Sequence, residues 1–282
     1  MRLAWLLLLV GLTVAAVSCT SGGNSYSALN QPGSDWELVF QDEFKGHGVP
    51  DPDKWISQEY NRKKNSDGPD GWWLKENVGL TGHGHLEIRA TKIPNRNPSE
   101  DDDPYDYASG MVSTEGKFET TFGRYEARIK LPHDPGWWLA FWLFSHQVHN
   151  EDGSGEDGTE VDIVEGFGWT DTIVYSLHWD GYGKAHKRAS HRDFRPGIRS
   201  GWHVFALEWS PTEYIWFVDG EEVWRSSAGG VGKTPVWIKL SGEISTHKSV
   251  AHEWWSEMPD PKRLPDHFLV DWVRVYKRAD RN

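Results

Sequence analysis

The chain of 282 residues has a single cysteine, Cys19, so no disulfide can form within it. Long helical hydrophobic periods are also missing, which points away from a helix-built domain. Basic residues are in short supply: 30 Lys and Arg stand against 42 Asp and Glu, for a net charge of −12. That deficit argues against nucleic acid as a partner, because phosphate binding needs basic stripes. It argues more weakly against a heavily sulfated substrate. Aromatic residues are plentiful, with 18 Trp, 11 Phe and 9 Tyr, and they supply the bulk of a core despite a modest aliphatic content.

The apolar run in "MRLAWLLLLVGLTVAAVS" (1–18) begins with a positive charge and ends in small residues. It reads as a secretory signal and is too short to read first as a spanning helix. Cys19 follows directly, and "AVSC" resembles the lipobox of bacterial lipoproteins, in which the cysteine is lipidated and becomes the new N-terminus. A lone thiol in an exported protein is otherwise a liability. The expectation is export to a bacterial cell envelope with a lipid anchor on Cys19, or plain secretion if Cys19 is not lipidated. Residues 19–34, rich in Ser and Gly, read as a flexible tether. No composition shift follows, so residues 35–278 read as one domain with a short tail at 279–282. A monomer is expected.

Strand patterns fill that domain. In "RYEARIKL" (124–131), Tyr125, Ala127, Ile129 and Leu131 alternate with charged residues. "EYIWFVDGEEVW" (213–224) is a hairpin signal centred on Asp219-Gly220, and "HFLVDWVRVYK" (267–277) reads as a closing strand. Gly- and Pro-rich breaks separate such runs, as in an all-β, two-sheet antiparallel sandwich. Long loops are expected near 56–74, 92–107 and 145–158, the second holding the acidic "SEDDDPYDY", read as a solvated loop.

The stretch "GTEVDIVEGFG" (158–168) crowds three carboxylates. In a flat strand Glu160 and Asp162 share a face while Glu165 points away. One extra residue, a β-bulge at Ile163–Val164, would return Glu165 to the face of the other two. Three acids on one face suit retaining glycoside hydrolysis, in which two carboxyl groups about 5–5.5 Å apart share the work. One attacks the anomeric carbon, and the other protonates the leaving oxygen and later activates water. A third acid between them hydrogen-bonds the nucleophile and keeps the two titrations apart. From spacing alone, a solvated strand face carrying acids is an equal alternative. The preceding "EDGSGEDGTE" fails as a calcium helix-loop-helix site, since Asp157 stands where the turn needs glycine.

"GTEVDIVE" resembles the signature of glycoside hydrolase family 16 in its bulged E-x-D-x-x-E form. Laminarinases, agarases, porphyranases and carrageenases share that form, while lichenases use E-x-D-x-E. "WELVFQDEFKG" (36–46), "SGMVSTEGKFETTFGRYEARIKLP" (109–132), "GWWLAFWLF" (136–144), "GWHVFALEWSPTEYIWFVDG" (201–220) and "FLVDWVRVYK" (268–277) extend the resemblance in order. It implies a concanavalin-like jelly roll with an open substrate cleft on its concave face, and hence endo-action on a polysaccharide. By position, Glu160 would be the nucleophile, Asp162 its electrostatic helper and Glu165 the acid/base. Trp138, Trp142, Asn77 and His178 would contact substrate, Trp72 and Trp73 are further candidates, and Glu243, where this chain departs from the family text, is a candidate on a cleft-facing strand. No cofactor is implied for catalysis. One structural calcium opposite the cleft is implied at Glu43, Gly84 and Asp271.

"IKLSGEIS" (238–245) departs from the "NLAVGG"-like text of laminarinases. A β-1,3- or mixed β-1,3/1,4-glucan is the first expectation for substrate, with agar, porphyran or β-1,3-galactan as the alternative. Residues 184–199, which hold six Lys and Arg, read either as a clamp for sulfate or uronate or as a solvated loop. A non-catalytic sugar-binding module is the alternative of another class, though a pure binder has no need of three acids on one bulged strand.

Overall fold

A computed structural model describes residues 35–61, 71–96, 105–168, 170–244 and 262–279. The signal segment, Cys19, the tether and most of the acidic run at 99–107 lie outside the described residues. Among those described there are nineteen strands, numbered β1 to β19 in chain order, and no α-helix.

They form two sheets. The seven-stranded sheet runs β14 (Lys187–Phe194), β13 (Thr172–Trp179), β12 (Glu160–Phe167), β11 (Trp137–Phe144), β18 (Trp237–Ile244), β9 (Met111–Ser113) and β3 (Ile56–Ser57), every pair antiparallel. The larger sheet is built around β16 (Tyr214–Val218), β15 (His203–Trp209), β10 (Gly123–Lys130), β19 (Asp266–Arg278) and β7 (Leu86–Pro94). It contains one parallel pair, β5 (Trp72–Trp73) with β8 (Tyr105–Ser109).

One face of each sheet builds the core. Leu139, Phe141 and Leu143 of β11, Ile173, Tyr175 and Leu177 of β13, and Ile238 and Leu240 of β18 meet Tyr125, Ala127, Phe205, Trp216 and Val273 from the larger sheet. Because strand side chains alternate, the intervening residues of the seven-stranded sheet face away from the core. Trp138, Trp142, Lys239, Ser241, Glu243, His178 and Ser176 therefore share its outer face.

Two places explain why the chain folds this way locally. Asp219 and Gly220 both take positive φ (51° and 86°), as a two-residue type I′ hairpin turn requires, and the turn joins β16 to β17 (Glu221–Ser226). At Gly158, just ahead of β12, an added Cβ would lie 2.2 Å from the backbone of Gln147. Only glycine admits so close an approach. The alternation in "RYEARIKL" holds, but on its charged face Arg124 and Glu126 are buried as well, while Arg128 is half-buried and Lys130 exposed. There Arg124 bonds Glu126 at 2.6 Å and Glu208 at 2.7 Å, satisfying charges that would otherwise be costly to bury.

Candidate active site

The pairing of β12 gives the bulge at the expected place. On the β13 side Asp162 opposes Ser176 and Glu165 opposes Val174, so three steps along β12 match two along β13. On the β11 side Phe141 opposes Val164 and Trp142 opposes Asp162, again one residue in excess. Glu160, Asp162 and Glu165 consequently share the outer face, while Val161, Ile163 and Val164 enter the core. The bulge is tied from behind: the Trp216 indole N–H crosses from the larger sheet and donates to the Asp162 carbonyl oxygen at 2.9 Å.

Each acid has defined partners. Glu165 is buried, and its two oxygens accept from the Trp138 indole N–H at 2.9 Å and the Ser176 hydroxyl at 3.0 Å. Glu160 accepts from the Tyr182 hydroxyl, which reaches in from the turn after β13. Asp162 lies 3.4 Å from His178 Nε2, and His178 Nδ1 meets His186 Nε2 at 2.9 Å with the two rings stacked.

Burial, then the negative charge of Asp162, pushes both glutamates above the ordinary carboxylate range, Glu160 to about 7 and Glu165 to about 8. Nearby His178, the Tyr182 hydrogen bond and Lys239 restrain Glu160. Burial opposes protonation of His178, but its hydrogen bond to Asp162 and the three carboxylate charges outweigh that and raise it to about 9. At neutral pH the imidazolium offsets part of the clustered negative charge. Two raised carboxyl groups beside a third acid are suited to one accepting and one donating role.

The expected aromatic residues stand beside this row with commitments of their own. Trp138 is half-buried, bonded to Glu165 and stacked on Phe167 at 5.3 Å. Trp142 donates to the Ser241 hydroxyl at 3.1 Å, and the Lys239 ammonium lies 4.2 Å from its ring centre. Glu243 opposes Trp138 across β11 and β18, on the acid-bearing face. Asn77 is placed differently: buried, it donates to the Arg89 carbonyl at 3.0 Å and to Thr91 Oγ1 at 2.8 Å, so its amide hydrogens hold the chain to β7. Trp73 donates to the Gly242 carbonyl at 3.0 Å and Trp72 to Asp106 at 3.2 Å, which makes both structural ties. Sequence reasoning missed Tyr182, Ser176, His186 and Lys239. Ser176 was within reach, since it lies two residues from His178 and shares its face.

At the calcium candidates the carboxylate side chains have partners of their own, which leaves backbone oxygens as the donors. Glu43 makes a two-pronged bond to Arg274 at 2.9 and 3.1 Å, and Asp271 meets Arg128 at 2.5 Å. Guanidinium groups already neutralise both carboxylates, and Gly84 brings no side chain. Glu160, Asp162 and His178 offer ligand atoms within 4.8 Å of one another, the one such group among the described residues. Its imidazole is held protonated and bonded to His186, which leaves it a poor metal donor.

Comparison with known proteins identifies the family. A "Beta-glucanase" of Rhodothermus marinus is 30% identical over 259 residues, covering 86% of this chain and 85% of that one. A "Keratan-sulfate endo-1,4-beta-galactosidase" of Sphingobacterium multivorum is 24% identical, and the match spans 86% of this chain but only 56% of that protein. Among solved structures, the catalytic domain of an endo-1,3-beta-glucanase (laminarinase) from Thermotoga petrophila superposes with a TM-score of 0.68 at 28% identity, over 87% of this chain and 99% of that one. Residues 67–254 match the sequence model of Glycosyl hydrolases family 16. The chain belongs to that family: it is a jelly-roll glycoside hydrolase whose catalysis needs no cofactor.

Proposed function

We propose that the protein is a retaining endo-β-glycanase in which Glu160 is the nucleophile, Glu165 the acid/base and Asp162 the electrostatic helper. The observation that carries this reading is the bulge, which delivers all three acids to one face, with both glutamates raised above the carboxylate range. One glutamate must attack as a carboxylate and the other must hold a proton to donate; the Tyr182 hydroxyl and Lys239 favour the ionised form of Glu160. Glu160 displaces the leaving sugar from the anomeric carbon while Glu165 gives its proton to the departing oxygen. Glu165, now a carboxylate, takes a proton from water, and that water releases the sugar from Glu160 and restores both groups. His178 holds Asp162 in place and offsets charge as Glu160 ionises.

A β-1,3- or mixed β-1,3/1,4-glucan backbone is the first substrate class, supported by the 30% identity to a β-glucanase. A galactan backbone is the second reading, favoured by Lys239 and Glu243 on the acid-bearing face and by a relative named for keratan sulfate. Incubation with laminarin, barley glucan, agarose and porphyran, with products sized by chromatography, separates the two. Early products of many lengths from the two glucans are expected. Activity on galactans alone would overturn the glucan choice.

The anchor belongs to the same proposal, supported by "AVSC" directly after the apolar segment. Cys19→Ala is expected to move the protein from the membrane fraction to the soluble exported fraction. If the variant stays with the membrane, lipid on Cys19 is not what holds it there.

A further inference from the structure

Beyond Lys184, which precedes β14, the five other cations of the run at 184–199 are divided by the fold into two kinds. Lys187 pairs with Asp180 at 2.7 Å, and Arg195 with Asp193 at 2.5 Å and Glu221 at 3.1 Å. Arg199 is buried and donates to the carbonyl oxygens of Pro132 and Thr170, both at 2.6 Å, and of Phe167 at 3.3 Å. These three serve the fold.

Arg188 and Arg192 are placed otherwise. They lie on β14, the edge strand of the acid-bearing sheet. Its alternate residues turn inward: Ala189 packs on the core, His191 stacks on Tyr175 and Asp193 accepts from the Tyr175 hydroxyl. Arg188, Ser190, Arg192 and Phe194 therefore share the outer face, and all four are exposed. Register then ties them to the acids. Arg188 opposes His178, which opposes Glu160; Arg192 opposes Val174, which opposes Glu165. Two strand spacings, about 10 Å, separate each arginine from its glutamate along the sheet. The outward residues of β13 and β14 include no carboxylate, and Arg188 makes no ion pair among the described residues. In a chain of net charge −12, cations gathered on the face that holds the catalytic acids are a local property rather than a general one.

We propose that Arg188 and Arg192 form a subsite for acidic groups carried by the polysaccharide, either sulfate esters or uronate carboxylates. A guanidinium fork matches the paired oxygens of both, and a chain lying across the acids passes over β14. The subsite deepens the glycanase reading and rests on it: the backbone is cut at Glu160 and Glu165, and the substituents are held two strands away.

The test uses the full chain and three forms of one β-1,3-glucan: neutral, sulfated, and oxidised to carry carboxylates. Affinity electrophoresis reads binding, and reducing-end release reads cleavage. Retardation by one of the acidic forms is expected to exceed that by the neutral form, and the form that retards identifies sulfate or carboxylate. In the double variant Arg188→Ala/Arg192→Ala, the ratio of kcat/KM on that acidic form to kcat/KM on the neutral form is expected to fall at least about tenfold. Arg225→Ala, which removes a cation from the larger sheet, should leave the ratio in place. Equal retardation by all three forms, or a ratio unmoved in the double variant, overturns the subsite. Binding of an acidic form that is lost in the double variant, with none of these glucans, nor agarose or porphyran, cut by the wild type, would leave the subsite standing and overturn the glycanase reading instead.

Discussion

Glu160→Ala is expected to lower polysaccharide hydrolysis by about 10⁴-fold or more while binding stays measurable. The variant removes the one glutamate that Tyr182, His178 and Lys239 together favour in its ionised form. Neither remaining acid can take its place: Glu165 is fixed by Trp138 and Ser176, and Asp162 faces His178. The deletion also leaves a space where a small anion fits. With an aryl glycoside bearing a good leaving group, azide should restore turnover by attacking from the vacated side. The product would be the α-glycosyl azide, since one displacement inverts the centre that two would retain. Near-normal turnover without azide, or a β-azide, would reassign the nucleophile.

Glu165→Gln is expected to cost on the order of 10²–10⁴ in rate on polysaccharide, and far less in the first step with a dinitrophenyl leaving group that needs no proton. Its second signature is in the pH profile. On the proposed assignment Glu160 must lose its proton to attack, so activity rises as pH climbs through its titration. Glu165 must keep its proton to donate it, so activity falls as pH climbs through its own. Burial and the Asp162 charge raise both groups, so both limbs of kcat/KM should lie above the ordinary carboxylate range, the alkaline limb near pH 8. The limbs belong to the coupled pair rather than to either acid alone. In Glu165→Gln the alkaline limb should vanish. If it persists, another group, with His178 the first candidate, supplies the proton.

The site was legible in the sequence where backbone geometry alone decides it. Parity of side chains along β12 demanded an extra residue between Asp162 and Glu165, and the pairing with β11 and β13 puts it there. Asp219-Gly220 announced its turn for the same reason, through the φ angles the residues must adopt. What stayed hidden depends on contacts between segments distant in sequence. Nothing in "ENVG" tells that Asn77 turns its amide toward Arg89 and Thr91. The run at 184–199 looked uniform, yet partners on other segments take Lys187, Arg195 and Arg199, and strand parity turns Arg188 and Arg192 outward. The pairing of Glu43 and Asp271 was hidden similarly, because Arg128 and Arg274 come from strands far along the chain.

The bulge bears on how such a strand can change over evolutionary time. An insertion in most of β12 would turn every later side chain over, sending Gly166 outward and Phe167 into the core. At Ile163–Val164 the strand already runs one residue long on both its neighbours. Deleting either residue would give E-x-D-x-E, with all three acids still on one face. Chain length can therefore differ by one at this position among relatives that keep the same chemistry.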